Sequence, residues 1–376
     1  MQFMTHRKLL RALALMIAAI SLLTILTFGV VKGWRYYEYN EVGDSGIVQT
    51  EAVKIRGTTQ YLFIRGYQQD KPLLLFLPGG PGESFVPLAS EFSDELERDF
   101  IVVHIETGGV GKSDKYKVGP TLEEMVQDTD AIVDHLLVEF DRHALYLVGH
   151  SFGSILALKI ASATPEKALG VATVGQAVDW RAGNLLTHEH LTSLARREGD
   201  GKAVIALSSF APSLATTAGG QPMIDFSAVK IQRQWLEHFN IGNVLQKHTA
   251  KVRWFTYLTS PNHSVAESCE LAYIGPCKWI ANPQWWSQWK NIIPGILQFN
   301  AINDIPELKV PYVAIVGSDD WITPKALTRQ YYETLTDPKK RYIEIPDAQH
   351  YTFLDKPHEF QKAVRTLVLL NAEHPE

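Results

Sequence analysis

Cysteine is scarce in this chain: there are two, Cys269 and Cys277, in 376 residues. Their C-x7-C spacing is not that of a zinc site, and no His-x3-His lies beside them, so a metal centre is not expected. In an oxidising compartment the pair could close a small loop. The alternative is two buried free thiols. Long runs of one charge sign are also lacking, and the formal net charge is only −5. That leaves no electrostatic footprint for nucleic acid. No internal repeat or low-complexity tract interrupts the sequence. Charge is missing altogether from residues 12–31, where only Ser21, Thr24, Thr27 and Gly29 break an apolar run.

Twenty such residues form a helix of about 30 Å, the thickness of a bilayer core. Arg7, Lys8 and Arg11 precede the run, and Lys32 and Arg35 follow it. The excess of one positive charge favours a cytoplasmic N-terminus and places the rest of the chain outside the cytoplasm, periplasmic or extracellular. A cleaved signal peptide is the rival reading, although no A-x-A site stands before Trp34. Without the first 31 residues the chain holds 33 basic and 41 acidic side chains, a net of −8. That is a mildly acidic domain with little attraction of its own for anionic lipid.

With 45% hydrophobic residues the remainder is ample for a core. Residues 33–46 read as a polar linker. Two β-rich runs, 47–56 and 58–66, flank Gly57 and suggest an opening antiparallel pair. Leu73-Leu74-Leu75-Phe76-Leu77 is a continuous apolar run, as expected of a strand buried on both faces. Further strands are expected at 99–106, 144–150, 168–174, 311–317 and 341–345. Helices fall between them, one opened by the capping box Thr121-Leu122-Glu123-Glu124. This alternation predicts a mostly parallel central sheet with helices on both faces. The alternation stops over residues 179–306, which hold seven of the nine tryptophans and no clear central strand. The chain thus divides into an anchor (1–33), a first part of an α/β core (34–178), an inserted helical cap (179–306) and a second part of the core (307–376).

The chemistry centres on Gly149-His150-Ser151-Phe152-Gly153, which ends a buried strand and opens a helix. A G-x-S-x-G turn of this kind holds a serine hydroxyl proud of the sheet. Serine needs a base, and the order after such an elbow is an acid and then a histidine. Asp320, with Asp319 as its rival, follows the strand at 311–317, and His350 follows the last strand. His350 is the candidate base and Asp320 the group that fixes its tautomer. His150, beside Ser151, reads as a packing residue. The N–H groups of Gly80, in the turn Pro78-Gly79-Gly80-Pro81-Gly82, and of Phe152 are the candidate oxyanion donors. No cofactor is expected.

The motifs Gly79-Gly80-Pro81-Gly82, Gly109-Val110-Gly111-Lys112-Ser113, Gly149 to Gly153, Gly317 to Pro324, and His350 with Pro357 together resemble the α/β-hydrolase superfamily. Within it, residues 73–180 and 311–360 are similar to the proline iminopeptidase-like serine hydrolases. The resemblance implies a Ser-His-Asp triad at Ser151, His350 and Asp320. It also implies an acyl-enzyme intermediate and a small ester, amide or N-terminal aminoacyl substrate. The family's cap carboxylates bind a substrate amine, for which Glu237, Glu267 and Glu270 are available. Two positions depart from the family pattern. Pro78 stands where a histidine is usual, and Glu106-Thr107-Gly108-Gly109 stands in place of D-Q-R-G. Both departures bear on aminopeptidase activity more than on hydrolysis. The alternative function is a non-catalytic protein of this fold that binds a ligand or partner beneath its cap.

Overall fold

The apolar run at 73–77 sits where its composition demands, in the middle of a sheet covered on both sides. In the computed structural model, residues 2–209, 215–216, 222–223, 226–242, 254–272, 289–336 and 339–372 are described. The strands are β1 (Ile47–Ile55), β2 (Thr58–Gly66), β3 (Leu73–Leu77), β4 (Ile101–Glu106), β5 (Leu145–His150), β6 (Ala168–Val174), β7 (Ala215–Thr216), β8 (Pro222–Met223), β9 (Tyr312–Gly317) and β10 (Lys340–Ile345). Eight of them form one sheet in the order β1-β2-β4-β3-β5-β6-β9-β10. The β1–β2 and β2–β4 pairs are antiparallel and the others parallel. Between β1 and β2 a two-residue turn takes positive φ at both positions, Arg56 (47°) and Gly57 (85°), the turn whose twist matches paired strands.

Alternate residues of β3 feed the two faces. Leu73, Leu75 and Leu77 join a core that includes Ile132, Leu136, Ile155 and Leu158 of helices Leu122–Glu139 and Phe152–Ala163. Leu74 and Phe76 join a second core with Phe92, Phe353, Phe360 and Leu367 of the opposite face. The capping box forms: Thr121 Oγ1 accepts from Glu124 N at 3.2 Å, and Glu124 Oε2 accepts from Thr121 N at 2.8 Å.

Residues 179–306 carry helices Trp180–Arg197, Gly201–Ser208, Phe226–His238, Trp254–Leu258, Val265–Ala272, Ile293–Gln298 and Ala301–Asp304, together with the short β7–β8 hairpin. Leu191, Ala195, Ala203, Leu207 and Leu236 make a small core of their own. Trp289 instead is fully buried in the main core, edge-on to Tyr116. Trp279, Trp285, Trp286 and Cys277 lie outside the described residues. Cys269 is disulfide-bonded.

The N-terminal helix does not stop where a linker was expected. It spans Gln2–Asn40, because Phe28, Val31, Lys32, Arg35 and Tyr39 form a half-buried stripe at helical spacing that docks on the domain. Lys32 Nζ donates to the carbonyls of Ser260 and His263, both at 2.7 Å. Arg35 donates to Thr256 O and Thr259 Oγ1, both at 2.8 Å. The apolar part, with a mean hydropathy of 2.5 in its best window, is long enough to cross a membrane.

Candidate active site

Three loops leave the carboxyl ends of β5, β9 and β10 on one rim of the sheet, and each carries one of the expected residues. After β5 the chain turns into helix Phe152–Ala163 within one residue. Ser151 takes φ 49° and ψ −118° there, a strained conformation for a residue with a Cβ, worth about 1–3 kcal/mol. The turn closes only because its flanks are glycine. A Cβ on Gly149 would collide with the carbonyl of Gly153, and one on Gly153 with the carbonyl of Leu77. The strain is held by Ser151 N donating to Val174 O at 2.9 Å and by Ser154 Oγ donating to Ser151 O at 2.5 Å.

After β9, Asp320 is buried, and both its carboxylate oxygens are filled. Oδ1 accepts from Ile322 N (2.9 Å) and Thr323 N (3.0 Å). Oδ2 accepts from Thr323 Oγ1 (2.8 Å) and stands 2.9 Å from His350 Nδ1. Because Thr323 Oγ1 gives its proton to Asp320, the proton on the histidine belongs on Nδ1 and points at Oδ2. That leaves Nε2 as a lone-pair nitrogen, and it makes no hydrogen bond among the described residues. Asp320, not Asp319, meets the imidazole; Asp319 is exposed.

Ser151 Oγ and His350 make no direct hydrogen bond. They nevertheless share a wall at Gly175, the residue after β6: Val174 O holds Ser151 N, and a Cβ on Gly175 would lie 2.9 Å from His350 Nδ1. His150 is fully buried, packed among Phe85, Tyr351 and Phe353. Its Nε2 donates to the backbone carbonyl of His350 at 3.1 Å. Burial first, and then the nearby His350, hold its pKa well below the ordinary histidine value. His150 is therefore neutral, and it ties the loop of one candidate residue to the strand of another.

The glycine turn after β3 places Gly80 at φ 111°, where a Cβ would meet Gly82 N at 2.6 Å and Glu83 N at 3.0 Å. Phe152 is the first residue of its helix, so its N–H has no intrahelical acceptor. Beside the turn stands Glu83, which the sequence did not single out. Its Oε1 accepts from Tyr351 Oη at 2.9 Å, and burial raises its pKa. Glu106, at the departure from D-Q-R-G, is a buried junction. Its Oε1 accepts from Ser84 Oγ (2.7 Å) and faces His263 Nε2 (2.8 Å), while its Oε2 accepts from Lys112 N (2.9 Å). Glu237 and Glu270 are exposed, and Glu267 is paired with Lys112 at 3.3 Å. Among the described residues no group of three His, Cys, Asp or Glu could hold a metal ion.

Of the contacts that sequence reasoning missed, Thr323 had a local signal, since it lies three residues after Asp320 as a side-chain cap to a turn. The links from His150 to His350 and from His263 to Glu106 span 200 and 157 residues and had none.

Comparison with known proteins agrees with this architecture. A relative from Bacillus subtilis (strain 168), named a probable aminopeptidase, YbaC, is 28% identical over 312 residues, 82% of this chain and 92% of its own length. The crystal structure of a membrane phospholipase A, a bacterial virulence factor, covers 98% of this chain and 99% of its own at 15% identity and a TM-score of 0.56. A proline iminopeptidase-related protein from Thermus thermophilus covers 87% and 99% at 17% identity and a TM-score of 0.54. Both solved structures share the fold. Residues 72–357 match the family described as alpha/beta hydrolase fold, and the chain belongs to the α/β-hydrolase family of enzymes.

Proposed function

We propose that this protein is a membrane-anchored serine hydrolase that works through an acyl-enzyme. The observation that supports the reading is the buried pair of His350 Nδ1 and Asp320 Oδ2 at 2.9 Å, with Nε2 left without a partner among the described residues, on the same rim of the sheet as the strained Ser151. Ser151 Oγ attacks the substrate carbonyl while His350 Nε2 takes its proton. Asp320 keeps the imidazole in that tautomer and stabilises the imidazolium. The N–H groups of Gly80 and Phe152 receive the oxyanion, and each such donor is worth about 2.7–4 kcal/mol in the transition state. His350 then passes the proton to the leaving group, and water repeats the sequence on the acyl-enzyme.

A small ester, amide or N-terminal aminoacyl group is the substrate class. The relative named a probable aminopeptidase, similar over 92% of its length, supports the aminoacyl reading. The residues at 179–306 act as a cap over the site. The apolar run, with three basic residues before it against two after, and the disulfide-bonded Cys269 together favour a catalytic domain outside the cytoplasm.

A fluorophosphonate probe tests the mechanism. The intact protein takes up label and Ser151→Ala does not. An intact protein that stays unlabelled would leave the binding-protein alternative standing. Aryl esters screened against aminoacyl-arylamides, with Ser151→Ala as control, then separate the substrate classes.

A further inference from the structure

We propose that helix Trp254–Leu258 is a second membrane contact, seated at the boundary between lipid headgroups and acyl chains. The inference rests on the anchor reading above. Every residue of the N-terminal helix from Lys8 to Thr27 is exposed; the charge-free run of 20 residues, 12–31, rises about 30 Å, one hydrocarbon thickness, and Phe28 lies about one helical turn before its end. The domain first touches the helix at that residue. Phe28 packs edge-on against Phe255 with ring centroids 6.5 Å apart. Phe255 is therefore held within about one helical turn, roughly 5 Å along the helix axis, of the level where the hydrocarbon core ends.

The side chains around that contact suit such a level. Phe255 packs against Trp254 at 5.9 Å, and the two are 37% and 46% exposed. Tyr257 of the same turn is buried in the aromatic core, so the short helix turns one face inward and its large apolar residues out. Trp34 and Tyr37, 6.4 Å apart, and Tyr36 stand about 60% exposed one to three turns further along the anchor helix. Together they make the aromatic belt found at bilayer interfaces. The basic residues at this end do not serve as lipid anchors, because Lys32 and Arg35 are spent on carbonyls and a hydroxyl of residues 256–263. Those bonds fix the short helix to the anchor at a set height. Aromatic side chains at that height partition into the interface.

The full chain in phosphatidylcholine–phosphatidylglycerol vesicles, labelled with an environment-sensitive fluorophore, tests this. Labels are placed singly at Trp254→Cys, at Leu22→Cys within the expected span and at Val138→Cys, 83% exposed on helix Leu122–Glu139. Melting by circular dichroism checks that each labelled protein is folded, and Phe255→Cys replaces Trp254→Cys if the latter is not. The label at 254 is expected to be quenched by lipids carrying a nitroxide near the headgroup, and to be at least threefold less accessible to aqueous iodide than the label at 138. A 254 label that matches the 138 label overturns the proposal. One shielded from both quenchers also overturns it, in favour of contact with a second copy of the chain. In both cases the anchor reading stands if Leu22 is quenched by deep nitroxides. If Leu22 is not quenched, the anchor fails and this inference fails with it.

Discussion

Two adjacent aspartates at the end of β9 have opposite surroundings, and the difference predicts opposite phenotypes. Asp320 is buried with four hydrogen-bonding partners, His350 among them, whereas Asp319 is exposed. Asp320→Asn puts a donor where Nδ1–H needs an acceptor, which favours the wrong tautomer. We expect kcat toward an aryl ester to fall about 10³–10⁴-fold, with Asp319→Asn within about twofold of the parent. Equal losses in steady-state kinetics would sink the assignment. A second residue-scale prediction concerns stability. His104 lies between Phe76 and Phe92, and among the described residues its Nε2 meets Ser93 Oγ at 3.3 Å. Burial lowers its pKa to about 3. Unfolded, it titrates near 6.5, so between those values the unfolded chain binds a proton that the folded chain refuses. The stability it supports is complete above about pH 6.5 and is lost as pH falls toward 3, by about 1.4 kcal/mol per pH unit. Asp128, raised to about 6 by burial, works in the opposite sense, so the total pH profile hides the effect. The difference between the parent and His104→Phe exposes it. Denaturant unfolding at pH 7, 6 and 5 should show the parent losing more stability at each step, and parallel profiles would refute the argument.

At the scale of elements, what the sequence makes legible follows from how local the physics is. Leu73–Leu77, the elbow and the capping box each depend on residues within a few positions of one another, and each forms within one or two residues of expectation. The sequence favours Asp320 and keeps Asp319 as its rival; the contact that separates them is the one Asp320 makes with His350, 30 residues on. The last turns of the N-terminal helix read as linker because their polar residues, Lys32 and Arg35, find partners more than 220 positions away. The same lack of a local signal hides Glu106, whose role comes from Ser84 and His263. In the proposed mechanism the glycine turn after β3 is the element whose geometry bears most directly on rate. At Gly80, φ is 111° and a Cβ would press on two backbone nitrogens. Gly80→Ala should therefore displace the turn and its N–H together. We expect kcat to drop about 10²–10³-fold, the effect of losing one oxyanion donor, with the aromatic core behind the turn still melting cooperatively. Near-normal kcat in this variant would remove Gly80 from the proposed mechanism.

At the scale of the whole molecule, the proposed membrane anchor carries a prediction about the side on which the hydrolase domain lies. The basic residues flanking the apolar run differ by only one, a weak vote by itself. Cys269 is disulfide-bonded, and that bond predicts a location that the flanking charges do not decide. A cytosolic thiol is kept reduced by the glutathione pool, whereas a periplasmic or extracellular one is oxidised as the domain folds. The chain's only other cysteine is Cys277, so the protein isolated without reductant should expose no thiol. A C-terminal alkaline phosphatase fusion reports location by a separate route, because that enzyme folds only where its own disulfides form. It should be active in intact cells, whereas a fluorescent-protein fusion at the same site stays dark when exported unfolded. Unfolding the isolated protein should leave maleimide-polyethylene glycol with no site, and reduction should give two. A fluorescent C-terminal fusion with two reactive thiols before reduction would put the domain in the cytoplasm and reverse the orientation argued from the flanking charges.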